Sequence, residues 1–253
     1  MIEIKSPTHT LRLFAGHLQW SDVFRVVMYC SYRGDKSRIP FFYSIDKGAS
    51  CETDLRPSLT EIMAKMKSNT RNEIRRAERE ECRFAIDDGF DEFIPFYNAF
   101  CDSKGYGDHV SRARLSKFKN ILVTRVVCGD DTLAMHVTQL DPTGKIAILV
   151  LSGSQRLGKG VNTKLIGWGN RYLHFKELEW LKEHGYETYD WSGVCLDPHN
   201  PQHTIGQFKL SFGGTLVESW TLKSPLYAFL EKTRDLFRRL RNKWYSLRMQ
   251  GRI

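Results

Sequence analysis

The spacing of apolar residues along this chain changes three times, and each change marks a change of secondary structure. Over HTLRLFAG (9–16), VFRVVMYCSY (23–32) and IPFFYSI (39–45) the runs are short, rich in β-branched and aromatic residues, and punctuated by Arg33-Gly34-Asp35 and Asp46-Lys47-Gly48, which predicts strands joined by turns. The spacing then becomes helical. Ser58-Leu-Thr-Glu61 is a capping-box pattern, and Thr70-Arg-Asn-Glu73 repeats it, so two short helices or one broken helix are expected. Asp91 opens a further helix that keeps Phe93, Tyr97 and Phe100 on one face and tolerates Pro95 near its first turn; Ser111 caps a short basic helix ending near Asn120.

From Ile121 the alternation returns as ILVTRVVC (121–128), TLAMHVTQL (132–140) and KIAILVLSGS (145–154), separated by Gly129-Asp130-Asp131 and Asp141-Pro142-Thr143-Gly144. Three strands joined by two tight turns form an antiparallel meander. A loop over 155–163 leads to a long helix, clear from about Gly169 to His184 and stopped by Gly185. The strand YETYDWSG (186–193), a loop around Pro198 and Pro201, a short helix over IGQFKL and the strand TLVESWTL (215–222) follow. Ser224-Pro225 caps a last helix in which Leu226, Phe229, Leu230, Phe237, Leu240, Trp244 and Leu247 recur at helical spacing. The pattern therefore predicts an α/β fold, a mixed and mostly antiparallel sheet flanked by helices, with a basic amphipathic helix at its end. The organisation expected is a β-rich segment over 1–56 packing on a main domain over 57–222, then the helix over 223–253.

Composition adds limits. At 253 residues with 41% hydrophobic content the chain can bury a substantial core, and its longest apolar run, Ile146 to Leu151, is strand-sized, well short of the roughly 18 residues a membrane span needs. No basic stretch followed by an apolar one opens the sequence, and the six cysteines stand singly, so a reduced, cytoplasmic protein is expected. The net charge of +9 is unevenly placed: between Thr221 and Ile253 nine basic residues face Glu231 and Asp235, which leaves a nearly neutral body and a cationic appendage.

Three separated segments carry a resemblance. NTRNEIRRAERE (69–80), NRYLHFKELEWLKEHGYETYDWSG (170–193) and FKLSFGG (208–214) resemble, in order and spacing, signature segments of FemAB-like proteins of the GNAT acyltransferase superfamily, over roughly residues 40–220. The order of elements is also the GNAT order. That family includes enzymes that move an amino acid from aminoacyl-tRNA onto a cell-wall precursor, and many single-domain acyltransferases. The resemblance implies a GNAT fold and an acyl transfer to an amine acceptor, such as a sugar or envelope precursor. This chain is shorter than two complete GNAT domains and shows no coiled-coil arm, which favours acyl-CoA, acetyl-CoA first, over charged tRNA as donor.

Acyl transfer to an amine needs a cradle for the donor, stabilisation of the charge that develops on the carbonyl oxygen, and a route for the amine's proton. Gln155-Arg156-Leu-Gly158-Lys-Gly160 fits the Q/R-x-x-G-x-G/A pattern with which GNAT enzymes hold the CoA diphosphate, at a strand-to-helix junction where N–H groups favour anions; Asn170 is assigned to the same cofactor site. Lys209 is the candidate oxyanion stabiliser, by the family's F-K-x-x-F-G-G pattern; read from the residues alone it is a snorkelling lysine beside the inward Phe208 and Phe212. His136, Tyr189, Asp190 and His174 are candidates to face the cleft. Tyr189 and His136 join Lys209 as catalytic candidates, while Arg71, Arg75, Asp190 and Phe208 are assigned to substrate. Cys195, Asp197, His199 and His203 share a loop but lack the paired close spacing of a zinc site, so the loop is read as shaping the substrate cleft and no metal is expected. The last helix, apolar on one side and dense in Arg and Lys on the other, has the pattern of a membrane-surface helix and also that of a helix docked on its own domain. An inner membrane face reached through 224–253 is thus an expected partner beside the acyl donor and acceptor, with tRNA the alternative.

Overall fold

A computed structural model describes residues 1–105, 107–155 and 162–250, the last nine of these by backbone alone. In chain order the strands are β1 (Ile2–Lys5), β2 (Thr10–Leu13), β3 (Val27–Cys30), β4 (Ser44–Asp54), β5 (Arg83–Asp87), β6 (Ile121–Cys128), β7 (Asp131–Asp141), β8 (Ile146–Ser154), β9 (Thr188–Val194) and β10 (Thr215–Lys223). The helices are α1 (Leu59–Lys65), α2 (Ser68–Arg79), α3 (Phe93–Lys104), α4 (Arg112–Leu115), α5 (Thr163–Glu183), α6 (His203–Leu210) and α7 (Pro225–Gln250). They fall into two compact units, one of residues 1–47 with 219–253, the other of residues 48–218.

In the second unit the strand order is β4-β9-β8-β7-β6-β5. The β6, β7 and β8 strands form the expected antiparallel meander, in a register that sets Thr124 opposite His136 and His136 opposite Ser152. Alternation along β7 gives each face a different helix: Met135 and Val137 join the cluster around Phe93 and Tyr97 of α3, while Ala134 joins the one around Ile166 and Leu173 of α5. The result is a sheet between helical layers. Parallel pairing of β8 with β9 covers only Ile146↔Thr188 to Ile148↔Asp190; beyond it β8 stays with β7, and β9 stays with β4. A bulge in the β7/β8 ladder at Val137/Thr138 and another in the β4/β9 ladder at Ser50/Glu52 flank the point where the two parallel strands part.

Several helix boundaries differ from the sequence expectation: α3 opens at Phe93, two residues after Asp91, with no side-chain cap, and α4 ends at Leu115, short of Asn120. The capping box at Ser58 is formed, Ser58 N donating to Glu61 Oε2 at 2.8 Å. Thr70 caps nothing: α2 begins two residues earlier, at Ser68, and Thr70 is buried with its hydroxyl 3.0 Å from Ser211 Oγ. The long helix opens at Thr163, six residues before the point where its pattern is clear, because Asn162 Oδ1 accepts from Leu165 N at 3.2 Å. Glycines in its first turns, Gly167 and Gly169, mask that start; a Cβ at Gly169 would lie 2.8 Å from Leu133 Cδ1, so a larger residue there would require that leucine to shift. β5 and β1 were not expected. Each is a short edge strand carrying two charged residues, too brief to set a period.

In the first unit β1 pairs antiparallel with β2, β2 parallel with β3, and β3 antiparallel with the end of β10 at Tyr29↔Leu222. Ile39 to Phe42 is not strand. Pro40 starts a turn in which Tyr43 N donates to Pro40 O at 3.0 Å, and Phe41 is 98% exposed. Arg12 and Asp22 form a buried two-pronged ion pair (Nε to Oδ2 3.1 Å, Nη2 to Oδ1 3.2 Å), with Tyr29 OH donating to the same carboxylate. Ser224 holds α7 to this unit. Its buried Oγ accepts from Val27 N (3.1 Å) and Tyr227 N (3.3 Å) and donates to Arg25 O (2.6 Å). Ser224→Ala leaves one buried and one part-buried N–H group without an acceptor and should lower the stability of this unit by about 1–3 kcal/mol, measured by denaturant unfolding; a change within error would remove the cap from this role.

Candidate active site

Asn170, His174 and Glu177 stand at i, i+4 and i+7 on α5 and so turn to one side of the helix, toward the sheet. Glu177 is fully buried there, a carboxylate among Leu173, Leu178 and Leu181. Strands bring its partners: Thr124 of β6 donates its hydroxyl to Oε1, His136 Nδ1 of β7 lies 3.0 Å from Oε1, and Tyr189 OH of β9 lies 3.4 Å from Oε2. His136 Nε2 is 3.0 Å from Asn170 Oδ1. The ring is thus held at both nitrogens, by a carboxylate on one side and an amide on the other. His174 closes the group with Nδ1 3.3 Å from Glu177 Oε2, its ring tilted against that of His136 at 4.1 Å and enclosed by Trp191, Phe208 and Phe212.

The electrostatics follow from burial and from these neighbours. Burial alone would raise the Glu177 carboxyl, but His136 and His174 outweigh it by charge and hydrogen bonding, and the group is held well below the usual carboxylate range. Burial, and then the charge of His136, push His174 down to about 4. Tyr189 is raised well above the ordinary phenol, first by burial and then by the Glu177 charge. His174 is therefore neutral in the fold but protonated below about 6.5 when unfolded. The unfolded state binds more protons between these values, so stability present above pH 6.5 is lost as pH falls toward 4, at up to about 1.4 kcal/mol per pH unit. His174→Gln should remove about one proton from that slope, measured as urea stability against pH; an unchanged slope would contradict a buried neutral imidazole. The groups that act on it are Glu177 of its own helix, His136 of β7 and Lys209 of α6.

A second cluster lies where β9 leaves β8. Asp190, fully buried, accepts from Ser50 Oγ and from Ser192 N (2.8 Å); Ser192 takes the left-handed conformation (φ 66°) at the β9 bulge. Lys209 stands on α6, half-buried, with Nζ donating to Gly193 O at 2.8 Å. Burial lowers its ammonium, and the charge of Asp190 opposes that shift. The buried Cys51 thiol beside it is pushed up to about 12, by burial first and then by Asp190, and so stays neutral. Phe208 and Phe212, four apart, meet edge to face at 5.3 Å, and Phe212 is fully buried. The chain turns sharply after them: Gly213 has φ 76°, and a Cβ there would fall 2.5 Å from Lys65 O.

The expected site residues thus divide. Lys209, Asp190 and Phe208 come together at the end of β9, and His136, Asn170 and Tyr189 around Glu177. The two groups adjoin through His174, whose ring meets Phe208 and whose proton affinity is lowered by Lys209. Arg71 is elsewhere, its guanidinium donating to Ala64 O at 3.2 Å and to Met66 O, at the end of α1. Arg75 is exposed on α2. Gln155 is exposed at the end of β8, its N–H on Leu133 O (3.1 Å), beside a hollow of about 330 Å³ lined also by Phe96, Phe100 and Ser154. Arg156, Gly158 and Gly160 lie outside the described residues. In the Cys195 loop, Asp197 Oδ1 accepts from His199 N at 3.0 Å, a local turn. Glu177 and Thr124 were missed. An acid at i+3 from His174 on the apolar side of a long helix was the available signal. His136, His174 and Glu177 also present three ligand-type atoms within 4.8 Å of one another.

No protein-family model matches the chain, and no curated protein matches it. Solved structures do. The C-terminal domain (DUF2156) of a putative lysylphosphatidylglycerol synthetase from Agrobacterium fabrum aligns with a TM-score of 0.62 at 12% identity, over 91% of this chain and 84% of that one. FemX aligns with a TM-score of 0.61 at 11% identity over 90% and 85%. L-PGS from Bacillus licheniformis aligns with a TM-score of 0.54 at 12% identity over 88% and 80%. At these identities the likeness is one of fold alone: the chain shares the fold of these three structures.

Proposed function

We propose that the chain is an N-acyltransferase that moves an acyl group from acyl-CoA, acetyl-CoA first, to an amine on a sugar or cell-envelope precursor. One observation carries this reading: the half-buried Lys209 ammonium, directed by α6 to the point where β8 and β9 part, beside the buried Asp190. In the reaction the acceptor nitrogen attacks the thioester carbonyl, and the carbonyl oxygen becomes anionic. The carbon–sulfur bond then breaks, the sulfur leaves with the bond's electron pair, and the amine's proton passes to water or to the departing thiolate. Lys209 exchanges its bond to Gly193 O for one to that oxygen, a donor aimed where charge develops.

Gln155, Arg156, Gly158 and Gly160 would hold the donor's diphosphate ahead of α5, whose N-terminus is capped by Asn162 and carries the positive end of a 21-residue helix. Asn170 acts in this reading through His136, and His136 and Tyr189 position the end of β9 through Glu177. Both are fully buried, so they are positioning residues here and not a base. In this reading Phe208, next to Lys209 on α6, and Arg75, exposed on α2, are assigned to the acceptor. The trio of His136, His174 and Glu177 is read as a closed proton-bearing network, with no metal required.

A second reading, aminoacyl transfer from charged tRNA, is favoured by the basic balance of the first unit. Thermal unfolding with each donor separates the two, because a ligand bound only by the folded form raises its midpoint. Acetyl-CoA should raise it and charged tRNA should not. The reverse result transfers the assignment to tRNA, and no response to either supports a silent scaffold.

A further inference from the structure

Among the described residues, most of the exposed large apolar side chains lie in the first unit, which also holds all of the chain's excess charge. Twelve of the sixteen exposed large hydrophobics among the described residues belong to it. It carries sixteen basic residues against six acidic, a net +10, while the second unit stands at −1. Neither number alone is informative, since scattered apolar exposure is ordinary. Their arrangement on α7 is informative.

At 100° per residue, Leu226, Phe229, Leu230, Leu236, Phe237 and Leu240 fall within an arc of about 120°. All six are exposed, Phe229 at 62% and Phe237 at 70%. Arg234, Arg238 and Arg241 border the stripe on one side, Lys232 and Arg239 on the other, and all five are exposed. The side of the helix turned to its own unit is the opposite one: Tyr227 meets His9 edge to face at 5.8 Å, and Glu231 receives Lys223 Nζ at 2.6 Å. An amphipathic helix of a globular protein normally turns its apolar side to the core. α7 attaches through its polar side and leaves the apolar stripe outward. The 3-10 turn Trp20–Phe24 lies beside α7 and adds Trp20 and Phe24, 81% and 84% exposed.

From this we infer that the first unit docks on an anionic lipid surface, with α7 lying in the interface plane, its apolar stripe in the acyl boundary and its flanking cations at the headgroups. Charge decides among the occupants. A second copy placed stripe to stripe would bring cation rows together, and a nucleic acid would take the cations but leave six large apolar side chains in water. A membrane rich in acidic headgroups matches both. The docking does not depend on the acyl donor, so it stands or falls separately from the proposed reaction.

The test is sedimentation of the full chain with unilamellar vesicles of phosphatidylcholine alone, or with a share of phosphatidylglycerol. The chain should sediment with the acidic vesicles and not the neutral ones. Binding should fall as salt rises from about 0.1 M to 1 M, which shortens the screening length from about 10 Å to 3 Å. Phe229→Ser with Phe237→Ser, both solvent-exposed and therefore neutral to folding, should weaken binding at least about tenfold. Arg234→Glu with Arg238→Glu should weaken it at least about 25-fold, each basic residue being worth roughly fivefold at such a surface. Absence of binding to acidic vesicles, binding indifferent to lipid charge, or binding that neither pair changes would overturn the inference. A dimer in light scattering that Phe237→Ser dissolves, with no vesicle binding, would instead assign the stripe to a second copy.

Discussion

Replacing Glu177 by alanine should destabilise the second unit by about 3–5 kcal/mol and lower its calorimetric midpoint by on the order of 10 °C. The size follows from what the carboxylate holds. It is fully buried, it accepts from Thr124 and His136, and it faces Tyr189 and His174. Truncation leaves these polar groups in an apolar interior with no acceptor and opens a cavity between α5 and the sheet. Glu177→Gln keeps an acceptor of the same shape and should cost distinctly less, with the loss concentrated at the His136 contact. The two substitutions together separate packing from charge. A loss under about 1 kcal/mol for the alanine variant would mean that the network is solvated and that its buried geometry is not the one described here.

Lys209→Ala should do the opposite, sparing the fold and removing the chemistry. The side chain is half-buried and makes one hydrogen bond to the Gly193 carbonyl, on a residue that is itself exposed, so its removal leaves an acceptor that water reaches. Stability should change little. Turnover should fall by about 10²–10³, the usual cost of deleting a donor aimed at a developing oxyanion, and donor affinity should stay near the native value because the bond is made in the transition state. Lys209→Arg tests geometry, since a wider guanidinium cannot occupy the place of a point-like ammonium and should restore little of the rate. A variant that raised KM and left kcat intact would make Lys209 a binding residue.

The sequence was most legible where period and caps agree. The meander from Ile121 to Ser154, the stop at Gly185 and the Ser224 cap are local signals, each fixed by a few neighbouring residues. Thr70 carried a cap signal that tertiary contact overrode: its hydroxyl meets Ser211, 141 positions away. The edge strands β1 and β5 were too short to show a period, and the glycines in the first turns of α5 concealed its start.

The site was legible by parts. The pattern around Lys209 singled out a lysine that the fold sets half-buried beside Asp190, and His136, Asn170 and Tyr189 were singled out, though for separate tasks. What joins them, Glu177, could not be found from spacing with strand residues 41 and 53 positions distant, because the register of β6, β7 and β9 against α5 exists only in the fold. Arg71 was chosen for its charge, and the fold uses that charge on the last carbonyls of α1. The exposed stripe of α7 was visible as a pattern; which side faces outward was not, because periodicity defines a face without saying what it meets.

The central claim is that an ammonium at the parting of β8 and β9 stabilises the carbonyl oxygen of a thioester under attack by an amine. It is tested most directly by the release of free thiol from acetyl-CoA in the presence of pooled amino sugars, comparing the native chain with Lys209→Ala at equal fold stability. The account predicts amine-dependent release by the native chain and a rate at least about a hundredfold lower in the variant. Equal rates in the two proteins would contradict it.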